Sequence, residues 1–553
     1  MVSGAVDIAD GPAPRTRGEA GALTPSRAWT ALILVSLCQA MSLVDRQVLA
    51  ILAPRIQADL HIGDTEMGLL YGTVFGLFFA VFSVPLGRLA DGWIRTRLLA
   101  LSIAAWSLMT MLAGTANSFG MLAISRLGVG IGEGSAQPAG FSLVSDSFPK
   151  AQRGLATSVL AAAGALGLGL ALWVGGAVAD NWDAAFKSGA APLGLRGWQA
   201  AFIAAGLPGL VLALLVGRLP EPVRGAADGI RQHPDKYPFR ASAMLLASLL
   251  PGLAWIHLAR CKAPMRMWIA NLAGLAAIVI AAATLAGWTD RLLASAGATK
   301  TGILGLSVGT EQWAITGLGF YVLLCWAQVL ALTDKPAHTV IFRSAGLGTA
   351  LTIAALQMVI NYGVMAWSSI YLITRFKQPL ADVGLTFGFL VAVMGIIGPL
   401  LAGPLADWLR QRIRGGHLYV TLIALIVSPF LAHLTYRADT LSGFYMLFIP
   451  FSLATTMWLP PIYATFLDLV LPRMRGSVIA CYILTMTVVG LGLGPFAVGL
   501  MSDLSNHDLA GSILNLYWLS PLIVGLVVFL IIRAPLVEAS LIERARAAGE
   551  PSL

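Results

Sequence analysis

Apolar runs of about 20 residues, the length that crosses bilayer hydrocarbon as a helix, recur from one end of this chain to the other. Six fall near residues 28–52, 66–90, 98–116, 119–143, 154–179 and 197–218. Six more fall near 347–373, 382–406, 417–436, 441–469, 476–501 and 511–533, and two further runs, 266–288 and 312–333, lie between the sets. A weaker run at 241–259 is broken by Pro251 and ends in His257 and Arg260. It reads as an interfacial helix, because an odd number of inserted spans would leave the second set upside down. About 14 spans make the chain an all-α integral membrane protein, since in lipid each backbone polar group has to be satisfied within its own helix. Only 11% of the 553 residues are charged, against about 25% in soluble domains. That is too few to wet a surface, and it excludes a soluble enzyme, a nucleic-acid-binding protein and a disordered chain.

Lysine and arginine orient the spans, because they accumulate in cytoplasmic loops. With both termini inside, 26 of the 36 basic residues are cytoplasmic and 8 are outside: Arg55, Lys187, Arg196, Arg291, Lys300, Arg375, Lys377 and Arg437. The remaining two, Arg46 and Arg126, lie within spans. The chain is therefore expected to be N-in and C-in, and its net charge of +9 follows from topology without an acidic partner. Residues 1–27, rich in Gly, Ala, Pro and Arg, are expected to be a disordered cytoplasmic tail, with no cleavable signal peptide ahead of the first run. The expected domains are a bundle at 28–218, a linker and insert at 219–346, a second bundle at 347–534 and a tail at 535–553. Four widely spaced cysteines give no disulfide framework or metal site, and no cofactor is expected.

The two sets repeat one another. Gly87-Arg-Leu-Ala-Asp91 returns as Gly403-Pro-Leu-Ala-Asp407, an offset of 316 (403 − 87), each followed by two arginines: Arg95 and Arg97, then Arg410 and Arg412. Pro149 to Gly154 is echoed by Pro472 to Gly476, and Gly167-Leu-Gly169-Leu with Gly176 and Asp180 by Gly490-Leu-Gly492-Leu with Gly499 and Asp503. Three ordered matches mark a duplicated six-helix unit, and a parallel repeat of two such bundles is a transporter architecture.

These residues resemble the major facilitator superfamily over all twelve core spans. Gly87, Asp91, Arg95 and Arg97 fit its motif between spans two and three, with Gly92 and Ile94 where a basic residue and a glycine are usual. The resemblance implies two six-helix bundles that alternate access, here with two extra spans between them. It also implies that Asp91 and Asp407 latch the cytoplasmic ends of neighbouring helices, a role suited to carboxylates that accept bonds from a facing helix N-terminus. Val44-Asp45-Arg46-Gln47, with Arg126, Gly130, Gly132, Glu133 and Gly134, is similar to the spinster branch. That branch carries lysolipids or sphingoid lipids, and its bacterial members are proton-coupled. The 128-residue insert, 219–346, departs from the branch pattern.

Four charges lie deep in apolar spans: Asp45, Arg46, Arg126 and Glu133. Unpaired, they would cost roughly 10 kcal/mol or more. Two acids and two bases suggest pairing between the first and fourth spans. Arg126, Gly130, Glu133 and Gln137 share one helical face, which must look into the bundle. Such a cluster either fixes packing or relays protons. Burial and a nearby arginine act on a carboxylate's proton affinity in opposite senses, so either acid can change protonation as its surroundings change. Glu133, among three glycines, is the first candidate and Asp45 the second, titrating as a coupled pair. Arg46, Arg126 and Gln137 complete the charge network or meet substrate.

In the second half, Gln357 and Asn361 in span seven, and Thr455, Thr456, Trp458 and Tyr463 in span ten, are expected to line the opposite cavity wall, since the resemblance places those spans there. Glycine stripes in spans five and eleven predict tight, sliding contacts. The function expected is proton-coupled secondary transport of an amphipathic or organic anionic solute, by a functional monomer in a bacterial inner membrane. Its partners would be substrate, protons and membrane lipids. A proton symporter of small carboxylates is the alternative, with Arg46 or Arg126 as its clamp. A membrane enzyme would need a nucleophile or metal constellation, yet none of the seven histidines neighbours an intramembrane acid in sequence, and no ATP-binding motif is present. A non-transporting receptor would not need buried titratable pairs.

Overall fold

The structure, a computed structural model, describes residues 24–187, 191–225, 235–298 and 301–550. The tail expected at 1–27 lies outside the described residues up to position 23, as do Lys300 and the middle of the 219–240 linker. Helices dominate, and no strand occurs among the described residues.

The first bundle comprises α1 (Pro25–Leu60), α2 (Asp64–Gly92), α3 (Arg95–Ala113), α4 (Phe119–Glu133), α5 (Ala136–Ser147), α6 (Lys150–Ala185) and α7 (Gly197–Gly217). The insert holds α8 (Pro238–Leu249), α9 (Leu253–Arg260), α10 (Met265–Ser295), α11 (Val308–Thr333) and α12 (Lys335–Phe342). The second bundle runs through α13 (Ala345–Phe376), α14 (Leu380–Arg410), α15 (His417–Tyr436), α16 (Leu441–Met457), α17 (Leu459–Asp468), α18 (Pro472–Leu504) and α19 (Leu509–Ala539), then α20 (Leu541–Ala547). Among the described residues, thirteen stretches are long and apolar enough to cross a membrane. The fourth expected span is absent from that count because it breaks at Gly134–Ser135 into α4 and α5.

Span ten breaks at the equivalent place. There Pro460 and Pro461 supply no N–H for the Thr456 and Met457 carbonyls one turn back, and at the break the Trp458 carbonyl accepts the Thr421 hydroxyl at 2.9 Å. The weak run at 241–259 is a bent pair: α8 and α9 meet at 110°, where Gly252 turns at φ +79. Pro251 is thus a corner, and α8 lies along α2 with its Ser242 hydroxyl donating to the Pro85 carbonyl at 2.7 Å. Cys261, just past α9, is exposed, whereas Cys38, Cys325 and Cys481 are buried.

The halves meet along two seams, α6 with α14 and α2 with α18. Small residues set the first: a Cβ on Gly169 would lie 2.5 Å from the Gly388 carbonyl oxygen, and one on Gly388 2.6 Å from that of Gly169. Each half also carries the same ion cluster. Buried Arg95 donates to Glu221 at 2.7 Å and Asp146 at 2.5 Å, tying α3 to the ends of α5 and α7. In the second copy Arg410 meets Asp468 at 2.8 Å and Glu538 at 3.9 Å, tying α14 to the ends of α17 and α19. Arg95 and Arg410 are therefore internal braces of their own halves.

Candidate functional site

Alternating access needs a cavity between the halves that is shut on one side, and the distribution of polar contacts shows which side is shut. Call the face carrying the ends of the described chain the termini face and the opposite one the far face. On the far face, Asp503 at the end of α18 caps the start of α2, accepting from the Asp64 and Thr65 N–H groups at 3.2 and 2.9 Å and from the Thr65 hydroxyl at 2.6 Å. Its repeat mate Asp180, at the end of α6, accepts from the Ala381 N–H at the start of α14 at 2.8 Å, and also bonds Arg55. Each aspartate thus uses the bare N–H groups of a helix start belonging to the other half. Asp64, Asp503 and His507 bring ligand-type atoms within 4.8 Å of one another. Both carboxylates are already engaged by N–H and O–H donors, Ser502 donating to Asp64 at 2.6 Å, so the group is a hydrogen-bonded clasp.

Toward the termini face the same seam gapes. A cavity of about 840 Å³ is lined by Phe79, Ser83, Gly87, Asp91 and Gln137 on one side and by Tyr463, Arg475, Gly476 and Tyr482 on the other. Asp91 and Asp407 are exposed, and neither carboxylate has a partner among the described residues; the Asp91 backbone carbonyl accepts from Arg224. Asp91 instead faces the start of α18 across the cavity. A Cβ on Gly403 would meet open space, Arg97 is exposed, and the Arg412 guanidinium lies 3.7 Å from the Trp408 ring centre.

Deeper, a second cavity of about 270 Å³ is lined by Arg46, Gln47, Tyr71, Phe75, Arg126, Asn361, Tyr362 and neighbouring apolar groups. Of the four intramembrane charges the two arginines line it, and the acids behind them are met in a different pairing from a simple two-by-two exchange. The Glu133 Oε2 accepts from Arg46 Nε at 2.6 Å and from the Ser42 hydroxyl at 2.8 Å. Arg126 Nη1 donates to the backbone carbonyl of Asp45 at 2.8 Å, not to its carboxylate. That carboxylate is completely buried, facing the Trp106 ring N–H and the Thr110 hydroxyl of α3. The Arg46 guanidinium also lies over two ring faces, 4.8 Å from the Phe75 centroid and 4.5 Å from that of Phe79. Phe79 lines the larger cavity and Phe75 the smaller, so Arg46 stands at the junction of the two.

The helix break explains how Glu133 reaches α1. Gly130 and Gly134 press on the α2 backbone near Phe75 and Ser83, while Gly132 presses on Trp106 of α3. Without Cβ atoms, α4 is held between two neighbours and Glu133 is left pointing at the third.

In the second half Asn361 lines the smaller cavity and Tyr463 the larger. Gln357 is buried behind Asn361 and donates to it at 3.0 Å. Thr455, Thr456 and Trp458 line neither cavity, contrary to expectation. Both threonine hydroxyls bond the Ser452 carbonyl, at 3.0 and 2.9 Å, and Thr456 also packs on Gly398 of α14. Trp458 is fully buried at the break. Sequence reading missed Ser42 and the aromatic wall Tyr71, Phe75 and Phe79, although their four-residue spacing marks one helical face. It noted the repeat of Asp180 and Asp503 without giving it a task.

The sequence model of the Major Facilitator Superfamily matches residues 35–495. An MFS-type efflux pump of Mycolicibacterium smegmatis is 25% identical over 492 residues, 89% of this chain and 88% of the relative. Protein spinster homolog 1 of Bos taurus is 28% identical over 363 residues, 60% of this chain and 62% of the relative. Among solved structures, a bacterial homologue of the human lysosomal transporter spinster, in an inward-facing and unoccupied conformation, superposes with a TM-score of 0.63 at 19% identity, covering 94% of this chain and 99% of that one. With two repeated six-span bundles around a charged cavity, two further spans between them, and a family match over most of its length, the chain belongs to the major facilitator superfamily and is a multi-pass membrane transporter.

Proposed function

We propose that this protein is a proton-coupled secondary transporter of an amphipathic solute with an anionic or zwitterionic head, acting as a monomer in a bacterial inner membrane with both termini in the cytoplasm. Arg46 carries the reading: one guanidinium is bonded to Glu133 and lines the central cavity. A proton arriving on Glu133 cancels the charge that holds Arg46, and the guanidinium is then free to take an anionic head. Loss of that proton draws Arg46 back to Glu133 and expels the head. Asp45, fully buried against Trp106 and Thr110, is the second proton site, and the two acids titrate as a coupled pair. The aromatic wall of Tyr71, Phe75 and Phe79 suits an apolar tail, and Asn361 and Tyr463 meet the solute from the other half. Asp91 and Asp407 latch the termini face when the far face opens, mirroring what Asp503 and Asp180 do in the present state.

The test is uptake by the purified protein in proteoliposomes, screened over lysolipids and small organic acids with and without an imposed pH gradient. Gradient-dependent movement of an amphipathic anion is expected. Uptake indifferent to the gradient would overturn proton coupling, and uptake confined to small carboxylates would move the substrate to that class.

A further inference from the structure

The inserted helices are not needed to complete six plus six, yet α11 is fastened to both halves at the seam where they meet. Both seam helices carry a π turn there, Leu69–Val74 in α2 and Met486–Leu491 in α18. A π turn interrupts the normal ladder and leaves backbone groups seeking partners. Directly after the second one, the Gly492 carbonyl accepts from Gln312 Nε2 of α11 at 3.0 Å, with the Thr73 hydroxyl of α2 at 2.7 Å. The same hydroxyl lies 2.5 Å from Gln312 Oε1, so its single proton is shared between the insert and α18. Gln312 and Thr73 are 0% and 2% exposed, and this three-helix node is shielded from water and lipid.

One face of α11 continues the contact. Seven residues on from Gln312, a Cβ on Gly319 would lie 2.7 Å from Val488 of α18 and 3.4 Å from Leu77 of α2. At its other end Asp334 accepts from Arg473, at the start of α18, at 2.5 and 3.2 Å. The insert is stiffened from within by Asn271, which is fully buried. Its Oδ1 accepts from Trp255 of α9 at 2.8 Å and Tyr321 of α11 at 2.9 Å, and its Nδ2 donates to Gln328 at 2.7 Å. The insert is therefore one braced unit lying across the α2–α18 seam.

We propose that α11 is a clasp over this seam and that Gln312 is a positioning residue of the transport cycle. It holds the far-face half shut, and it must release Thr73 or Gly492 before α2 and α18 can part. This rests on the alternating-access reading given above. The α6–α14 seam has no such helix laid across it among the described residues, so the clasp makes one of the two seams the slower to open.

Gln312→Leu keeps the bulk of the side chain and removes its bonds; Thr73→Val does the same from the α2 side. The probe is the distance between spin labels at His61→Cys and Asn506→Cys, exposed positions on the far-face loops after α1 and α18. The measurement uses the full chain in lipid nanodiscs, with Cys261→Ser as background. Loss of one net hydrogen bond is expected to raise the far-face-open population about three- to ten-fold. The double variant should fall short of the product of the single effects, because both remove one shared node. Unchanged distances in Gln312→Leu and Thr73→Val, with wild type sampling two distances, would overturn the clasp alone. A single fixed distance in wild type at every pH and with every solute tested would overturn alternating access itself. If Gln312→Leu fails to fold, Thr73→Val decides by the same distances.

Discussion

The two halves are copies in backbone and opposites in charge. Both break their fourth helix at matching places, both brace helix ends with an arginine between two acids, and both send an aspartate across to cap the other half. Yet all four intramembrane charges belong to the first half, while the second offers Arg475 at the mouth of the larger cavity and otherwise Asn361, tyrosines and apolar groups. The repeat retains what rigid halves need to rock against each other, since every moving contact has to be met from both sides. A proton site needs to exist only once. Burying four charges costs several kcal/mol even when they are paired, so a second copy would add that penalty without adding function.

That contrast can be broken most decisively at Glu133. Glu133→Gln keeps shape and packing but cannot titrate, so gradient-driven accumulation in proteoliposomes is expected to vanish while counterflow persists. The driving force, about 2.3 kcal/mol per charge per 100 mV, then no longer reaches the solute. Equal loss in both assays with a lowered melting temperature would make Glu133 a packing residue. The opposite half should respond differently: Asn361→Ala is expected to weaken substrate affinity several-fold with the pH-gradient response intact. The braces sharpen the comparison next. Arg95 is 0% exposed and Arg410 41%, so Arg95→Ala should destabilise by about 2–3 kcal/mol, leaving the partly buried Asp146 and Glu221 unpaired, and Arg410→Ala by about 1 kcal/mol or less. Denaturation in detergent micelles would separate them, and equal losses would mean that the halves are braced alike. Asp91→Asn and Asp407→Asn should each slow transport and leave binding largely intact, because neither lines the smaller cavity at Arg46.

The smallest expected effect lies at the end of the chain. Arg473 bonds Glu550 and holds its carboxyl below the ordinary range; burial alone would raise Asp334, but the hydrogen bonds from Arg473 and the Ala337 N–H, with the Arg473 charge, together outweigh it and hold that group low as well. The clasp they form is therefore intact above about pH 4 and loosens only as pH falls through the depressed values. Hydrogen exchange of residues 541–550, corrected for intrinsic rates, should show constant protection from pH 8 to 5 and a loss below that. Loss near pH 6 would contradict the pairing.

The spans and the duplication were legible in the sequence because lipid enforces apolar length and because Gly87–Asp91 and Gly403–Asp407 are short, stiff strings. The four charges announced themselves by their cost. Their pairing was not legible: Arg126 satisfies itself on a carbonyl, and every residue has one of those, so no pattern of side chains records the choice. Thr455 and Thr456 misled for a related reason, since a threonine in a helix can bond its own preceding turn and turn away from a cavity that its span borders. The role of Asp180 and Asp503 depends on which helix starts they face, a property of tertiary packing alone. Gln312 carried no signal at all, as an amide one turn into an apolar run reads as a span end.

Cys261 offers something practical. Of four thiols three are sealed in the bundle and this one stands in the open just past the bent helix pair. The unmutated protein therefore carries a single native handle. A membrane-impermeant maleimide applied to sealed vesicles of known orientation would react or fail to react at that one position, and the answer fixes which way all fourteen spans run.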